Sequence, residues 1–155
     1  AVEKAAEVTG LELMPAPVEE APLPGGDFDG SLERLEKGLV VDSGVSPVCA
    51  ARLVRLYGTE AREVVRSGVE PLVPDAPVLA AEVAWAVQVE AAATVEDVVY
   101  RRLRTAFYTE NTREASIVPV ADAMAKLLGW TEERKRREVA GVRARLAEDL
   151  SFLNN

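Results

Sequence analysis

Two glutamates could supply general acid–base chemistry, because Glu82 and Glu90 lie on either side of Trp85 in one predicted helix. Eight residues along a helix correspond to about 80° of rotation, so the two carboxylates do not share one strict face. Nothing else nearby in the sequence indicates how a substrate would be positioned. We therefore favour pairing of the two glutamates with the arginines of the following helix, which are Arg101, Arg102 and Arg104.

A second pair of opposite charges is local, since Asp97 precedes Arg101 by four residues in the order that stabilises a helix. Thr94 and Asp97 also have the spacing of a capping box, with Asp in place of the preferred Glu. We predict structural ion pairs rather than catalysis at these positions, namely Glu82, Glu90, Asp97, Arg101 and Arg102.

Histidine is absent from the sequence, which excludes the most common catalytic and metal-binding arrangements. Without it, neither a Ser-His-Asp triad, nor a Cys-His pair, nor a histidine-based zinc site can form. Cys49 lies in an Ala-rich predicted helix and is interpreted as a small buried hydrophobe. The sequence GGDFDG at residues 25–30 fits neither a phosphate-binding loop nor a calcium loop. We predict no catalytic, cofactor-binding or metal-binding residue in this chain.

The charge balance argues against nucleic acid as a partner, because 18 basic and 26 acidic residues give a net charge of −8. The basic run Arg134–Arg137 has glutamates four residues away, which favours a solvated helix face, with a membrane-surface role as the weaker alternative. No apolar run reaches the roughly 20 residues that span a bilayer. A single cysteine suits a reducing compartment, so we expect a cytoplasmic location.

Apolar residues at helical spacing, together with capping residues, predict the elements that hold these side chains. The expected fold class is all-α, a compact bundle of about six or seven short crossing helices, with the aromatic side chains in the core. Two strand candidates, Leu39–Val41 and Leu72–Val73, are too short to form a sheet. The predicted helices run from Ser31 to Gly38, Ser46 to Gly58 and Thr59 to Gly68, then over 79–89, 94–106 and 118–128, and from Thr131 onward.

The first 30 residues differ in composition from the rest of the chain. They hold one basic and seven acidic residues, and four prolines stand close to three glycines. We predict a short helix that ends at Gly10 and an extended Pro/Gly-rich linker from Leu13 to Gly30. Residues 1–30 are therefore predicted as a linker and residues 31–155 as a helical domain.

A series of short segments resembles the C-terminal helical (cap) domain of FAD-dependent, quinone-linked glycerol-3-phosphate dehydrogenases. The series extends over about residues 23–150, in the order and at the spacing of that family. The segments are LPGG at 23–26, LVRLYGTEA at 53–61, AEVAWAVQVE at 81–90, ATVEDVVYRR at 93–102, and LGW at 128–130 followed by a charged helix with Glu138-Val139.

The resemblance implies a parent enzyme that oxidises sn-glycerol 3-phosphate to dihydroxyacetone phosphate with FAD and passes the electrons to a quinone at the membrane surface. In that family the flavin and substrate groups belong to an N-terminal α/β part. This chain carries no dinucleotide-binding fingerprint, so no catalytic or flavin residue is carried over, and FAD is expected in the parent only. Residues 1–30 would then include the tail of the upstream flavin domain.

The expected partner is this flavin-binding domain, against which the chain would pack as a module that is inactive alone. A homodimer contact or an approach to the inner membrane face are further contributions that the resemblance allows. The alternative is a free-standing helical interaction module derived from the same ancestor. A flavin-domain coding region fused upstream favours the first interpretation, whereas an independent start codon favours the second.

Overall fold

The computed structural model of the protein describes residues 2–12, 23–74, 76–108 and 110–154, and most of these residues are helical. Seven α-helices occur in these ranges: α1 (Val2–Thr9), α2 (Leu32–Ser43), α3 (Pro47–Tyr57), α4 (Ala61–Arg66), α5 (Ala80–Gln88), α6 (Glu110–Leu128) and α7 (Glu132–Asp149). Short 3-10 helices lie at Gly58–Glu60, Thr105–Phe107 and Ser151–Asn154, and a π-helix lies at Asp97–Arg102. The same ranges contain no strand, only an isolated bridge between Pro71 and Leu79. The all-α prediction is confirmed.

Capping side chains begin two of the helices where the sequence predicted them. The Ser46 hydroxyl accepts the backbone N–H of Cys49 at 3.3 Å, with Pro47 at the first helical position of α3. The Thr131 hydroxyl accepts the N–H of Arg134 at 3.2 Å and begins α7. These signals work because each depends on residues only a few positions apart.

Helix α2 is longer than predicted, because it passes through Gly38 and ends at Gly44, which has a left-handed φ of 72°. The strand candidate Leu39–Val41, set aside above as too short to form a sheet, lies inside this helix. A glycine within a helix costs about 1 kcal/mol relative to alanine. Burial of Leu39, which is only 1% exposed, is worth more than this cost.

Helix α6 begins at Glu110 rather than near Val118, and Pro119 lies within it. The first turns of this helix were not predicted, because the sequence placed its start at residue 118. The Ser116 hydroxyl contacts the carbonyl oxygen of Arg113 at 2.8 Å and Thr105 Oγ1 at 2.9 Å. Burial of the Ser116 and Ile117 side chains holds the first turns of α6 in a helix, even though Pro119 lies within it.

The stretch predicted as one α-helix over 94–106 is divided. It forms the π-helix Asp97–Arg102, in which the N–H of Leu103 donates to the carbonyl of Val98 at 2.9 Å across five residues. Arg104 then adopts a left-handed φ of 60°, and a 3-10 turn follows. The wider π turn buries Val98, Val99 and Leu103 on one side. For this reason their spacing in the sequence resembles that of the buried face of an α-helix.

Two apolar clusters make up the core, and α5 contributes to both. The first cluster joins α2, α3 and α4 to Leu79 and Ala81, and it includes Leu39, Ala50, Leu53, Val54, Tyr57, Val64 and Cys49. The second joins the 72–78 loop, Val83 and Ala86 of α5, the 95–106 segment, α6 and α7, and it includes Val78, Val95, Val98, Leu103, Ile117, Val120, Met124 and Val142. The burial of Cys49 agrees with its interpretation as a hydrophobe.

Candidate functional site

A buried ion pair joins α3 to α5. Arg52 Nη1 lies 2.6 Å from Glu82 Oε2 and 2.7 Å from Oε1. The Glu82 side chain is 0% exposed and that of Arg52 is 12% exposed. Glu82 occupies the third position of α5, where its Oε1 also accepts the N–H of Leu79 at 2.8 Å. The carboxylate therefore both caps its own helix and holds the guanidinium of the neighbouring one.

The remaining polar atoms of this cluster are also paired. Arg52 Nε donates to the Tyr108 hydroxyl at 2.8 Å, and its Nη atoms donate to the carbonyls of Pro77 and Leu103, each at 3.3 Å. The Tyr57 hydroxyl donates to Glu82 Oε2 at 3.2 Å. Burial and the negative charge of Glu82 raise the pKa of Tyr57. Burial alone would lower the pKa of Arg52, but the Glu82 carboxylate outweighs it and raises that pKa.

This arrangement connects α3 to α5 and leaves little capacity for chemistry. Both oxygens of Glu82 are held by donors, so no lone pair is directed at an open space where a substrate proton could lie. Arg52 joins α3, in the first cluster, to the Leu103 carbonyl in the second. The pair therefore connects the two halves of the core.

The partner of Glu82 differs from the one the sequence indicated. Pairing with Arg101, Arg102 or Arg104 was predicted, but Glu82 pairs with Arg52 instead. Glu82 lies in the first turn of α5, whereas Glu90 follows the end of that helix at Gln88, so only Glu90 is close to the following segment. There the Glu90 carboxylate lies 3.3 Å from Arg102 Nε, and Arg102 also donates to the Glu90 carbonyl at 2.9 Å.

Partial burial raises the pKa of Glu90, although Arg102 opposes this effect. At the start of the π-helix, the Asp97 carboxylate accepts the N–H groups of Ala93 at 3.1 Å and Thr94 at 3.0 Å. It also pairs with Arg101 at 2.9 Å. Partial desolvation opposes these contacts, but together they lower the pKa of Asp97. That these residues act only as structural partners stays a prediction.

An open groove of about 760 Å³ runs between α3 and residues 103–108, and we name it the α3 groove. Its apolar lining includes Val48, Leu56 and Phe107, and its charged lining is Arg52, Arg55 and Arg104. Phe107 was expected in the core but is 66% exposed. The left-handed turn at Arg104 directs it outward, where it lies edge-on to Tyr100 at 5.9 Å between ring centres.

Two residues of the basic run on α7, Arg134 and Lys135, pair with neighbouring carboxylates. Arg134 lies 3.7 Å from Glu138 and stacks over the Trp130 ring at 4.7 Å. Lys135 pairs with Asp122 at 2.9 Å and with Glu132 at 3.0 Å. This interleaving of opposite charges is that of a solvated helix face.

The residues that the structure describes do not fit a flavin or metal site. A dinucleotide binds at a Gly-rich turn between a strand and a helix, and the described ranges are built from helices without such a unit. Within the same ranges, no group of three or more Asp, Glu or Cys side chains could hold a metal ion. No helix there is long and apolar enough to cross a membrane.

Sequence segments that are far apart meet in the structure. Gly25 of the LPGG segment packs against Tyr57 and Gly58 of LVRLYGTEA, and the N–H of Thr59 donates to the Gly25 carbonyl at 2.9 Å. Gly58 has φ 56° and ψ −128°, a conformation open in practice only to glycine. Of the predicted linker, Gly25 therefore packs on the helical domain, whereas residues 13–22 lie outside the described residues.

The described part of the chain is thus an all-α domain with an open, largely apolar groove along α3. Residues 17–135 match the family model described as the C-terminal domain of alpha-glycerophosphate oxidase. The chain belongs to this family, and the predicted resemblance is confirmed.

Curated relatives carry the name glycerol-3-phosphate dehydrogenase. One from Mycobacterium leprae is 30% identical over 158 residues, which cover 97% of this chain and 27% of the relative. A probable mitochondrial one from Dictyostelium discoideum is 32% identical over 123 residues, covering 76% of this chain and 19% of the relative. The human mitochondrial protein is 28% identical over 125 residues, which cover 74% of this chain and 17% of the relative. The chain thus spans only a minor part of the length of these relatives.

Proposed function

We propose that this chain is the C-terminal helical domain of an FAD-dependent enzyme that oxidises sn-glycerol 3-phosphate to dihydroxyacetone phosphate and passes the electrons to a quinone. The observation that carries the proposal is the family match over residues 17–135, together with relatives named glycerol-3-phosphate dehydrogenase. In this proposal the flavin and the substrate bind to an upstream domain, because the helices of this chain do not fit them.

The role of the chain is to pack against that flavin domain. The full pairing of the Arg52–Glu82 cluster supports a structural role, since catalysis needs an acid or base that can exchange a proton with a substrate. The domain is therefore inactive alone. Residues 1–30 connect it to the flavin domain, and residues 31–155 form the packing module.

The parent enzyme is proposed to be cytoplasmic and peripheral at the inner membrane face, where a quinone can be reached. Within this chain two bases of the run on α7 are engaged, because Arg134 and Lys135 pair with carboxylates. The net charge of −8 also opposes contact with an anionic surface, so the flavin domain is the favoured partner, ahead of a homodimer contact or the membrane.

The test is to purify the chain and mix it with the flavin domain encoded upstream in the same reading frame. We expect a colourless chain that unfolds cooperatively, a complex on mixing, and turnover of glycerol 3-phosphate that exceeds that of the flavin domain alone. Stoichiometric FAD in the purified chain, or oxidation by the chain alone, would contradict the proposal. An independent start codon together with no complex would favour the free-standing interaction module.

A further inference from the structure

Several large apolar side chains are exposed to solvent together in the α3 groove. Val48 is 67% exposed, Leu56 is 45% exposed, and Phe107 reaches across from the 3-10 turn. Contiguous exposed apolar side chains in a folded domain indicate an interaction surface. Val48 and Leu56 lie eight residues apart on α3, so the groove extends along most of that helix.

The charges in the groove are all of one sign. Its lining contains Arg52, Arg55 and Arg104 and no carboxylate, although the whole chain has a net charge of −8. Arg52 is already engaged by Glu82, and Arg55 approaches Glu36 only at 3.4 Å. Among the residues that the structure describes, Arg104 has no carboxylate within ion-pair distance. The groove is thus suited to apolar groups that carry negative charge.

The backbone at Arg104 is held in an unfavourable conformation. A φ of 60° is uncommon for a residue with a side chain, and the N–H of Phe107 donates to the Arg104 carbonyl at 3.1 Å to close the turn. This turn holds Phe107 outward beside the Arg104 guanidinium, which lies 5.9 Å from the ring centre. Local strain of this kind concentrates at binding sites.

We propose that the α3 groove is the surface that docks the upstream flavin domain, through an apolar segment that carries carboxylates. The inference rests on the proposed function and assigns the surface through which this chain would contact the flavin domain. The place where the N-terminal segment meets the helical domain supports the flavin domain as the occupant. Gly25 lies against Tyr57 and Gly58, at the end of α3 and next to the groove residue Leu56. A second copy placed symmetrically would bring this arginine-lined groove against an identical one without a carboxylate, and like charges oppose such contact.

Binding of the purified flavin domain to variants of this chain, measured by calorimetry, tests the assignment. Val48→Glu and Phe107→Glu place a negative, hydrated group in the groove and should weaken binding about tenfold or more. Val48→Glu is the safer variant for folding, because an acid in the first turn of α3 is favourable. The matched control is Val41→Glu, at an 83% exposed position on α2, which should bind as the unchanged chain does.

The charge part of the proposal is tested with Arg104→Gln, which should weaken binding severalfold at low salt and less at high salt. Lys37→Gln on α2 is its control. If the unchanged chain binds but the groove variants bind as tightly as Val41→Glu, the groove assignment is overturned while the proposed function stands. If the unchanged chain does not bind at all, the proposed function fails with it. Self-association that Val48→Glu abolishes, without an effect on flavin-domain binding, would assign the groove to a second copy and overturn the inference.

Discussion

Arg52 Nη1 lies 2.6 Å from Glu82 Oε2 across 30 residues of sequence, and this pair joins α3, which packs in the first apolar cluster, to α5, which contributes to both. Removing two charges from water costs free energy, which their attraction and the surrounding hydrogen bonds offset. Loss of one partner leaves the other charge buried without compensation. The pair is therefore a sensitive point of the fold even though its net contribution to stability is small.

Glu82→Gln should lower the free energy of unfolding by about 3 kcal/mol or more, and Arg52→Met by a similar amount. Because the two side chains interact, the double variant Arg52→Met with Glu82→Gln should lose clearly less than the sum of the single losses. Denaturant titration measures these values. The control is Arg66→Ala, which removes an exposed pair with Glu63 and should cost about 0.5 kcal/mol or less. Equal effects in Glu82→Gln and Arg66→Ala would show that the buried pair is unimportant.

Gly58→Ala should destabilise the domain by more than Gly44→Ala does. Both glycines have positive φ, but a Cβ at Gly44 meets nothing within 4 Å. A Cβ at Gly58 would overlap the carbonyl of Gly25, so the turn at residues 23–26 would have to move. We expect about 1 kcal/mol for Gly44→Ala from backbone strain alone, and at least about 2 kcal/mol for Gly58→Ala. Thermal unfolding compares the two, and a larger effect at Gly44 would contradict the packing described here.

Asp97→Asn should reduce stability at neutral pH and have little effect in acid. The pKa of Asp97 is lower in the folded protein than its ordinary value, so its contribution is present above about pH 4. That contribution is lost as the pH falls through the folded pKa. The side chain is partly exposed, so we expect a difference of only about 0.5 kcal/mol at pH 7. Denaturant titrations of both proteins at pH 7 and about pH 3 measure it, and a difference that grows in acid would reverse the assigned sign.

Two tyrosines should stay protonated in mildly alkaline solution. Burial and the hydrogen bond to Asp149 raise the pKa of Tyr100 to about 12, and burial and the Glu82 charge raise that of Tyr57. Since the folded pKa is above the unfolded one, this stability is present below about pH 10 and is lost as the pH rises through the folded value. The tyrosinate absorbance at about pH 11 should therefore be unchanged in Tyr57→Phe and Tyr100→Phe. Circular dichroism checks that each protein remains folded, and a clear loss of absorbance in Tyr100→Phe would disprove the shift.

Local signals made much of the helical organisation predictable. Ser46 with Pro47, and Thr131, begin helices where the sequence placed them, because a cap and its N–H partner lie only three residues apart. The pairing of Asp97 with Arg101 was proposed on the same basis and is present in the structure. Errors arose where packing outweighed local preference, as at Gly38 in α2 and Pro119 in α6.

Arg52 is the residue that sequence reasoning missed. It lies between Ala51 and Leu53 in an apolar stretch, with no acidic residue three or four positions away on either side. An arginine with no local partner beside a buried stripe is a signal that its partner is distant, but it does not say which carboxylate that is. The geometry of α3 against α5 selects Glu82.

The amino-acid sequence alone determined the helical class, the caps of α3 and α7 and the absence of histidine chemistry, because each depends on composition or on contacts within a turn of helix. Only the tertiary structure decided the partner of Glu82, the π-helix at Asp97–Arg102, the contact of Gly25 with Gly58, and the groove that exposes Phe107. These features depend on how distant segments pack, and packing between segments is set by the shape of the whole core rather than by any local pattern.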